Sequence, residues 1–282
     1  MNETAETKLL DVLQGRFPES SKTTLRTMLK EDRVRVNGSP ERDAKRLIGE
    51  ADSVEIAAKS KRALDPRVRI VFEDREIVVI DKGAGLLTVP SSQVLYETAE
   101  TFLNAHYGGR AGDPRVHHVH RLDRDTSGVL VFAKNTYIRQ RLKDLFESHD
   151  IERTYVAIVF GKLRDSGTFQ SFLAEGGDLR VRSVTDATEG KEAITHFRTI
   201  ASGRRYSMLE LTLETGRRNQ IRVHLSEAGH PIVGDTMYGK GRDEELDRLA
   251  LHARNLGFVH PLTGRKVRFT AEVPRAFRKL TL

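Results

Sequence analysis

Apolar residues first recur at helical spacing at Leu9, Leu10, Val12 and Leu13, and the pattern breaks at Pro18 and at Ser20 and Ser21. It resumes at Leu25, Met28 and Leu29, spaced i, i+3, i+4, with Ser20 or Ser21 placed to cap the second helix. Val34 and Val36 then alternate with Arg33 and Arg35 and run into Asn37-Gly38. That dipeptide favours a two-residue hairpin turn, because both positions tolerate positive φ. Val54 and Ile56 read as one more short strand. The opening region is therefore two helices followed by a small hairpin.

Further along, the dominant period drops to two. Val68, Ile70 and Phe72 form one strand pattern, and the runs from Ile77 to Ile80, Val129 to Phe132 and Tyr155 to Phe160 form others. Thr195 to Ile200, Ser207 to Glu214, and Val267 with Phe269 continue the series. Helical spacing returns in only two places. One is Tyr137 to Ser148, with Ile138, Leu142, Leu145 and Phe146; the other is Ile221, Leu225 and Ala228, with Gly229 suited to follow the last turn. Strands outnumber helices and do not alternate with them. The pattern predicts an α+β fold, with a mostly antiparallel mixed sheet flanked by helices. The charged stretch from Ala57 to Pro66 reads as a connector, giving a small domain over 1–60, a linker over 61–66 and a larger domain over 67–282. No internal repeat is present.

The length of 282 residues fits this division at roughly 150 residues per domain. Cysteine is absent, which excludes disulfides, a thiol nucleophile, thiolate zinc sites and iron–sulfur clusters. No apolar run approaches the ~18 residues of a membrane span. The first ten residues carry two glutamates and no apolar core, unlike a secretory signal, so a cytoplasmic protein with no membrane role is expected. The net charge of +7 suggests a polyanionic partner. The first 60 residues hold 11 basic and 11 acidic side chains, so the whole excess lies beyond them. Within the neutral region, Lys22, Arg26, Lys30, Arg33 and Arg35 nevertheless bunch around the second helix and the hairpin.

The densest polar cluster is His120 to Ser127, directly before the apolar run from Val129. Charged groups beside a buried strand are costly unless paired, so the cluster is either a salt-bridged turn or a functional site. A positioned carboxylate there, Asp123 or Asp125, could act as a nucleophile or stabilise positive charge at a sugar carbon. Arg121 and Arg124 leave no evident proton donor for a two-carboxylate mechanism. His117, His118 and His120 match no standard zinc spacing, and no metal is expected.

Two resemblances sharpen these readings. Val34-Arg35-Val36-Asn37-Gly38 resembles the closing hairpin of the S4 RNA-binding domain, although Asp32 stands where that family usually has Gly. This implies that Lys22, Arg26, Lys30, Arg33 and Arg35 contact RNA phosphates. The string from His120 to Gly128, HRLDRDTSG, resembles the signature of the RluA-type pseudouridine synthases. Gly85-Leu86-Leu87, Arg153-Thr154-Tyr155 and the stretch Gly190 to Thr195 are similar to further motifs of that family. So are Thr215 to His224, Gly229 to Asp235, and Leu251-His252-Ala253, all in the family's order. Two departures stand out: Gly83 replaces a usual Pro and Asn219 a usual His.

The resemblance implies a pseudouridine synthase fold and an isomerase acting on uridine in structured RNA. Ribosomal RNA is the expected substrate and tRNA the alternative; a monomer without cofactor is expected. It implies that Asp123 is the essential carboxylate, that Arg222 orients it through a bidentate fork, and that Tyr155 stacks on the uracil. Arg121 would fill the place of the flipped nucleotide, and His120 and Leu225 would touch the substrate. An RNA-binding module without catalysis and a base methyltransferase are the competing classes.

Overall fold

The computed structural model describes residues 6–57, 63–109, 112–177, 180–239, 241, 243 and 245–281. The chain divides into two compact units, Met1–Arg62 and Ala63–Leu282. Part of the expected linker, residues 61–62, lies outside the described residues.

The first unit runs β1 (Thr7–Lys8), α1 (Leu9–Arg16), α2 (Lys22–Lys30), β2 (Val34–Val36), β3 (Ser39–Pro40), β4 (Leu47–Ile48) and β5 (Val54–Ile56). Ser21 caps α2, its hydroxyl accepting from the Thr24 N–H at 3.2 Å. Asn37 and Gly38 turn the β2–β3 hairpin with φ of 54° and 80°, as their identity predicts. Strand β2 is the centre of a three-stranded antiparallel sheet, between β3 and β5. Leu9, Leu13, Leu25, Leu29, Val34 and Val36 form the core. Lys22, Arg26 and Lys30 stand exposed at four-residue intervals along α2, and Arg35 is exposed on β2. Asp32 occupies a left-handed position, φ 55°, which Asp tolerates better than most residues. Its carboxylate takes both arms of Arg42 at 2.7 Å, so the acid is locally neutralised.

The second unit runs β6 (Val68–Glu73), β7 (Ile77–Lys82), α3 (Ala99–His106), β8 (His117–His118), β9 (Ser127–Ala133), α4 (Thr136–Glu147) and β10 (Glu152–Phe160). It continues with β11 (Ser166–Glu175), β12 (Val181–Val184), β13 (Lys191–Ser202), β14 (Tyr206–Leu213), α5 (Gln220–Glu227), β15 (Leu251–Val259), β16 (Lys266–Thr270) and α6 (Arg275–Lys279). Eleven strands form one mixed sheet in the order β12-β11-β13-β14-β10-β15-β9-β7-β6, with β16 beside β15 and β8 beside β9. This is the α+β architecture that the spacing predicts.

The continuous apolar runs of β7 and β9 are explained by cover on both faces. Ile77, Val79, Val129 and Val131 pack with Ile138 and Leu142 of α4. The alternate residues Val78, Ile80, Leu130 and Phe132 pack with Leu103 of α3. Elsewhere Ile221 and Leu225 of α5 and Phe277 of α6 join the core over β10 and β14.

Among the described strands, β9 and β15 form the one parallel pair, in register at His252↔Ser127 and Ala253↔Gly128. The two halves of the sheet meet here. Gly128 has φ 118°, and a Cβ at that position would lie 2.1 Å from the Ala253 carbonyl oxygen. Only glycine permits so close an approach in that conformation. Gly128→Ala is expected to cost about 3 kcal/mol from backbone strain and overpacking, read as a lowered urea midpoint at unchanged slope.

Candidate active site

The segment between β8 and β9 is suspended over this junction by hydrogen bonds to the loop that follows β7. The Thr88 hydroxyl donates to Leu122 O at 2.8 Å and accepts from Leu122 N at 3.1 Å. Leu86 N donates to Arg124 O at 3.1 Å. Beneath them Lys82 is wholly buried, its ammonium donating to the carbonyls of Leu86 at 2.8 Å, Gly83 at 3.0 Å and Arg124 at 3.1 Å. Burial pushes Lys82 down to about 7, while the charges of Asp123 and Asp125 pull it back up. At the base of β9 the Ser127 hydroxyl meets His252 Nδ1 at 2.8 Å and accepts from Arg248 at 2.7 Å.

Asp123 thereby faces a cavity of about 190 Å³. Its walls are Arg121 and Leu122 beside Asp123, Tyr155 of β10, Leu213 of β14, Leu251 of β15, and the turn from Gly216 into α5 as far as Arg222. That volume falls below the roughly 300–1,000 Å³ typical of drug-sized ligands and suits one small planar group.

Arg222 is the fixed cation of the site. Its Nε and one terminal nitrogen donate to the two oxygens of Asp235, both at 2.8 Å. Its other terminal nitrogen donates to Asn219 Oδ1 at 3.2 Å and stands 3.5 Å from the Asp123 carboxylate. The guanidinium lies over the Tyr238 ring, 5.0 Å from its centroid. The expected fork onto Asp123 is thus corrected: the fork belongs to Asp235, which a turn after Gly234 brings directly under the helix. Burial raises the Asp235 carboxyl, but the Arg222 hydrogen bonds and charge, with the N–H groups of Tyr238 and Met237, more than offset it and hold it below its ordinary range. Arg222 is correspondingly held further above its ordinary value, although burial opposes this.

Tyr155 is partly buried, with its hydroxyl pushed up to about 12 by burial; Arg153 opposes this and Asp123 adds to it. The hydroxyl is therefore protonated throughout the neutral range. Arg121 is exposed at the cavity wall.

Two expected site residues do not line this cavity. His120 does not line the cavity: its ring stacks on Phe146 at 4.4 Å and its Nε2 accepts from Val131 N at 3.3 Å. Burial pushes it down to about 3, so it is a neutral acceptor supporting β9. Leu225 is fully buried one turn beyond Arg222 on α5, in the core. Leu213 and Leu251 supply the apolar wall instead. Asp125 is also withdrawn, its carboxylate paired at 3.1 Å with the Nε and a terminal nitrogen of Arg124. His118 Nδ1 lies 2.8 Å from Glu100, apart from His120, so the histidines do not converge.

Residues 76–227 match the family model described as RNA pseudouridylate synthase. A ribosomal large subunit pseudouridine synthase D of Vibrio cholerae is 36% identical, across 94% of this chain and 87% of that protein. An uncharacterised RNA pseudouridine synthase of Bacillus subtilis is 40% identical, across 75% of this chain and 70% of its own length. Among solved structures, the human protein RNA pseudouridylate synthase domain containing 4 superposes with a TM-score of 0.62 at 25% identity, covering 74% of this chain and 90% of that one.

The folded Asp235 carboxyl titrates below its unfolded counterpart. Its contribution to stability is complete above the unfolded value, near pH 4, and is lost as pH falls through the lower folded value. Asp235→Asn should cost about 3 kcal/mol at pH 7, because Arg222 stays buried without its main counter-ion. The gap from the wild type should narrow as denaturation is repeated below about pH 4.

Proposed function

The chain belongs to the RNA pseudouridylate synthase family, and on that premise we propose that Asp123 is the carboxylate with which it isomerises uridine in large-subunit ribosomal RNA. The observation that carries this is the shared cavity: Asp123, a cation 3.5 Å away on Arg222, and the ring of Tyr155 enclose room for one base and its sugar carbon. The name of the Vibrio cholerae relative supports ribosomal RNA over tRNA.

Pseudouridine formation breaks the N1–C1′ bond, turns the base and joins C5 to C1′, with loss of the C5 proton. None of these atoms is accessible within a helical stack, so the nucleotide must be flipped out at a cost of a few kcal/mol. Exposed Arg121 is placed to occupy the vacated space, where a planar cation can stack on the neighbouring bases. Asp123 then meets the flipped nucleotide, by attack at C1′, removal of the C2′ proton or attack at C6. All three routes need a free carboxylate oxygen next to a fixed positive charge. The Tyr155 ring offers a face to the uracil; its hydroxyl, already protonated, can take the C5 proton only by passing its own onward.

We assign the first unit an RNA-gripping role of the S4 type. Lys22, Arg26 and Lys30 present an exposed row of cations, joined by exposed Arg35 and partly exposed Arg33. The protein would act as a cytoplasmic monomer. Among the described residues no helix is long and apolar enough to cross a membrane.

Asp123→Asn should abolish pseudouridine in transcribed ribosomal RNA, mapped site by site, with RNA affinity and thermal midpoint retained. Full conversion by that variant would defeat the proposal. Replacing Lys22, Arg26 and Lys30 together by Ala should flatten the slope of log affinity against log salt by about one unit for each phosphate no longer neutralised. An unchanged slope would remove this helix from the RNA interface.

A further inference from the structure

A chain of side-chain hydrogen bonds crosses the second unit from its surface to the cavity. At the outer end, Ser183 Oγ meets the exposed Glu227 carboxylate, which can only accept. The Ser183 hydroxyl also stands as donor to Ser171 Oγ at 3.1 Å. Ser171 Oγ lies 3.0 Å from His224 Nε2, and His224 Nδ1 lies 3.0 Å from Thr195 Oγ1. A neutral imidazole offers one donor and one acceptor to these two hydroxyls. Burial holds His224 below its usual range, with Glu227 opposing, in keeping with the neutral form.

The inner end has a single orientation. Gln220 Nε2 donates to Thr195 Oγ1 at 2.9 Å and to Ile194 O at 3.0 Å. Gln220 Oε1 accepts from the Thr215 hydroxyl at 2.8 Å and from Arg217 N at 3.0 Å. Ile194 O can only accept and Arg217 N–H can only donate, so the amide cannot be flipped. Gln220, Thr195, Thr215 and His224 are all buried. The chain ends on the turn from Thr215 to Asn219, which walls the cavity and leads into the helix carrying Arg222.

We infer that Gln220 and His224 are positioning residues for the reaction: the chain from Glu227 to Arg217 N, with the Gln220 amide in one orientation, fixes the cavity wall and the origin of α5, and turnover depends on that placement. This rests on the reading of the cavity as the uridine site. A displacement of about 1 Å in such a support can cost on the order of a hundredfold in rate.

The test uses the full chain and a transcribed ribosomal RNA that the wild type modifies. Gln220→Leu should lower kcat by about tenfold to a hundredfold while RNA affinity stays within about twofold. Thr195→Val, which keeps shape but cuts the chain, should lower kcat in the same direction. His224→Leu should also be slow. His224→Gln, which offers one acceptor and one donor, should recover most of the rate. Wild-type kcat in Gln220→Leu overturns the inference, or in Thr195→Val if the first variant does not fold. An inactive wild type on every ribosomal transcript overturns the reading of the site itself, a result distinct from active wild type with unimpaired variants.

Discussion

Arg222 is almost wholly withdrawn from water, with only 11% of its side chain exposed. Such a cation is tolerable only if its charge and its N–H groups are matched, since the desolvation cost is several kcal/mol. Asp235 matches it with two bonds of fork geometry, and Asn219 takes a third. Asp123 receives something different: the charge without a strong hydrogen bond, because 3.5 Å is well beyond the ~2.7–2.9 Å of a charge-assisted contact. That division matters chemically. A carboxylate held by both arms of an arginine would have its lone pairs committed, whereas Asp123 is not held in this way. The Asp235 pair thus carries the structural load and leaves the Asp123 carboxylate outside it.

The same site depends on two close backbone approaches. The two halves of the sheet touch at β9 and β15 over only two residue pairs, and at Gly128 there is no room for a side chain against Ala253. The loop bearing Asp123 leaves the sheet just before that contact. Lys82, buried below, ties three carbonyls from both neighbouring loops to one ammonium. Shifting either feature would move Asp123 relative to Arg222, which sits on a helix anchored elsewhere by the Gln220 amide.

Much of this was legible from spacing alone. The two N-terminal helices, the Asn37-Gly38 hairpin, the helix around Ile138 and Leu142, and the strands at Ile77, Val129, Tyr155 and Ser207 follow from hydrophobic period and turn chemistry. The strand Ser166–Glu175 was not, because its exposed and partly buried residues alternate with little apolar contrast. Helix Ala99–His106 was hidden by its polar first turn, although Thr98 and Thr101 form a reciprocal capping box. Motif order points to Asp123, Tyr155 and Arg222, which line one cavity, but no sequence spacing shows that Asp235 rather than Asp123 meets the arginine fork. Lys82 was equally invisible, since a lysine ending a strand ordinarily reaches solvent. His120 and Leu225 were misplaced for one reason: a motif fixes neighbours in the chain, not the side of the backbone on which each side chain falls.

The two departures from the family pattern have local physical explanations. Gly83 stands where a proline is usual, and its N–H donates to Arg67 O at 2.7 Å, a bond proline cannot make. A Cβ at that position would also come within 2.9 Å of Arg67 Cβ, so the crossing of these two segments requires both the hydrogen and the missing side chain. Asn219 stands where histidine is usual, at φ 53°, a left-handed conformation that asparagine adopts readily. Its Oδ1 accepts from Arg222 while its Nδ2 donates to the Tyr238 hydroxyl at 3.1 Å. A neutral imidazole likewise supplies one acceptor and one donor, so the amide can serve the clamp around Arg222 in its place. Both substitutions therefore sit where the backbone or the cation makes a specific demand, and in each case the residue present satisfies it.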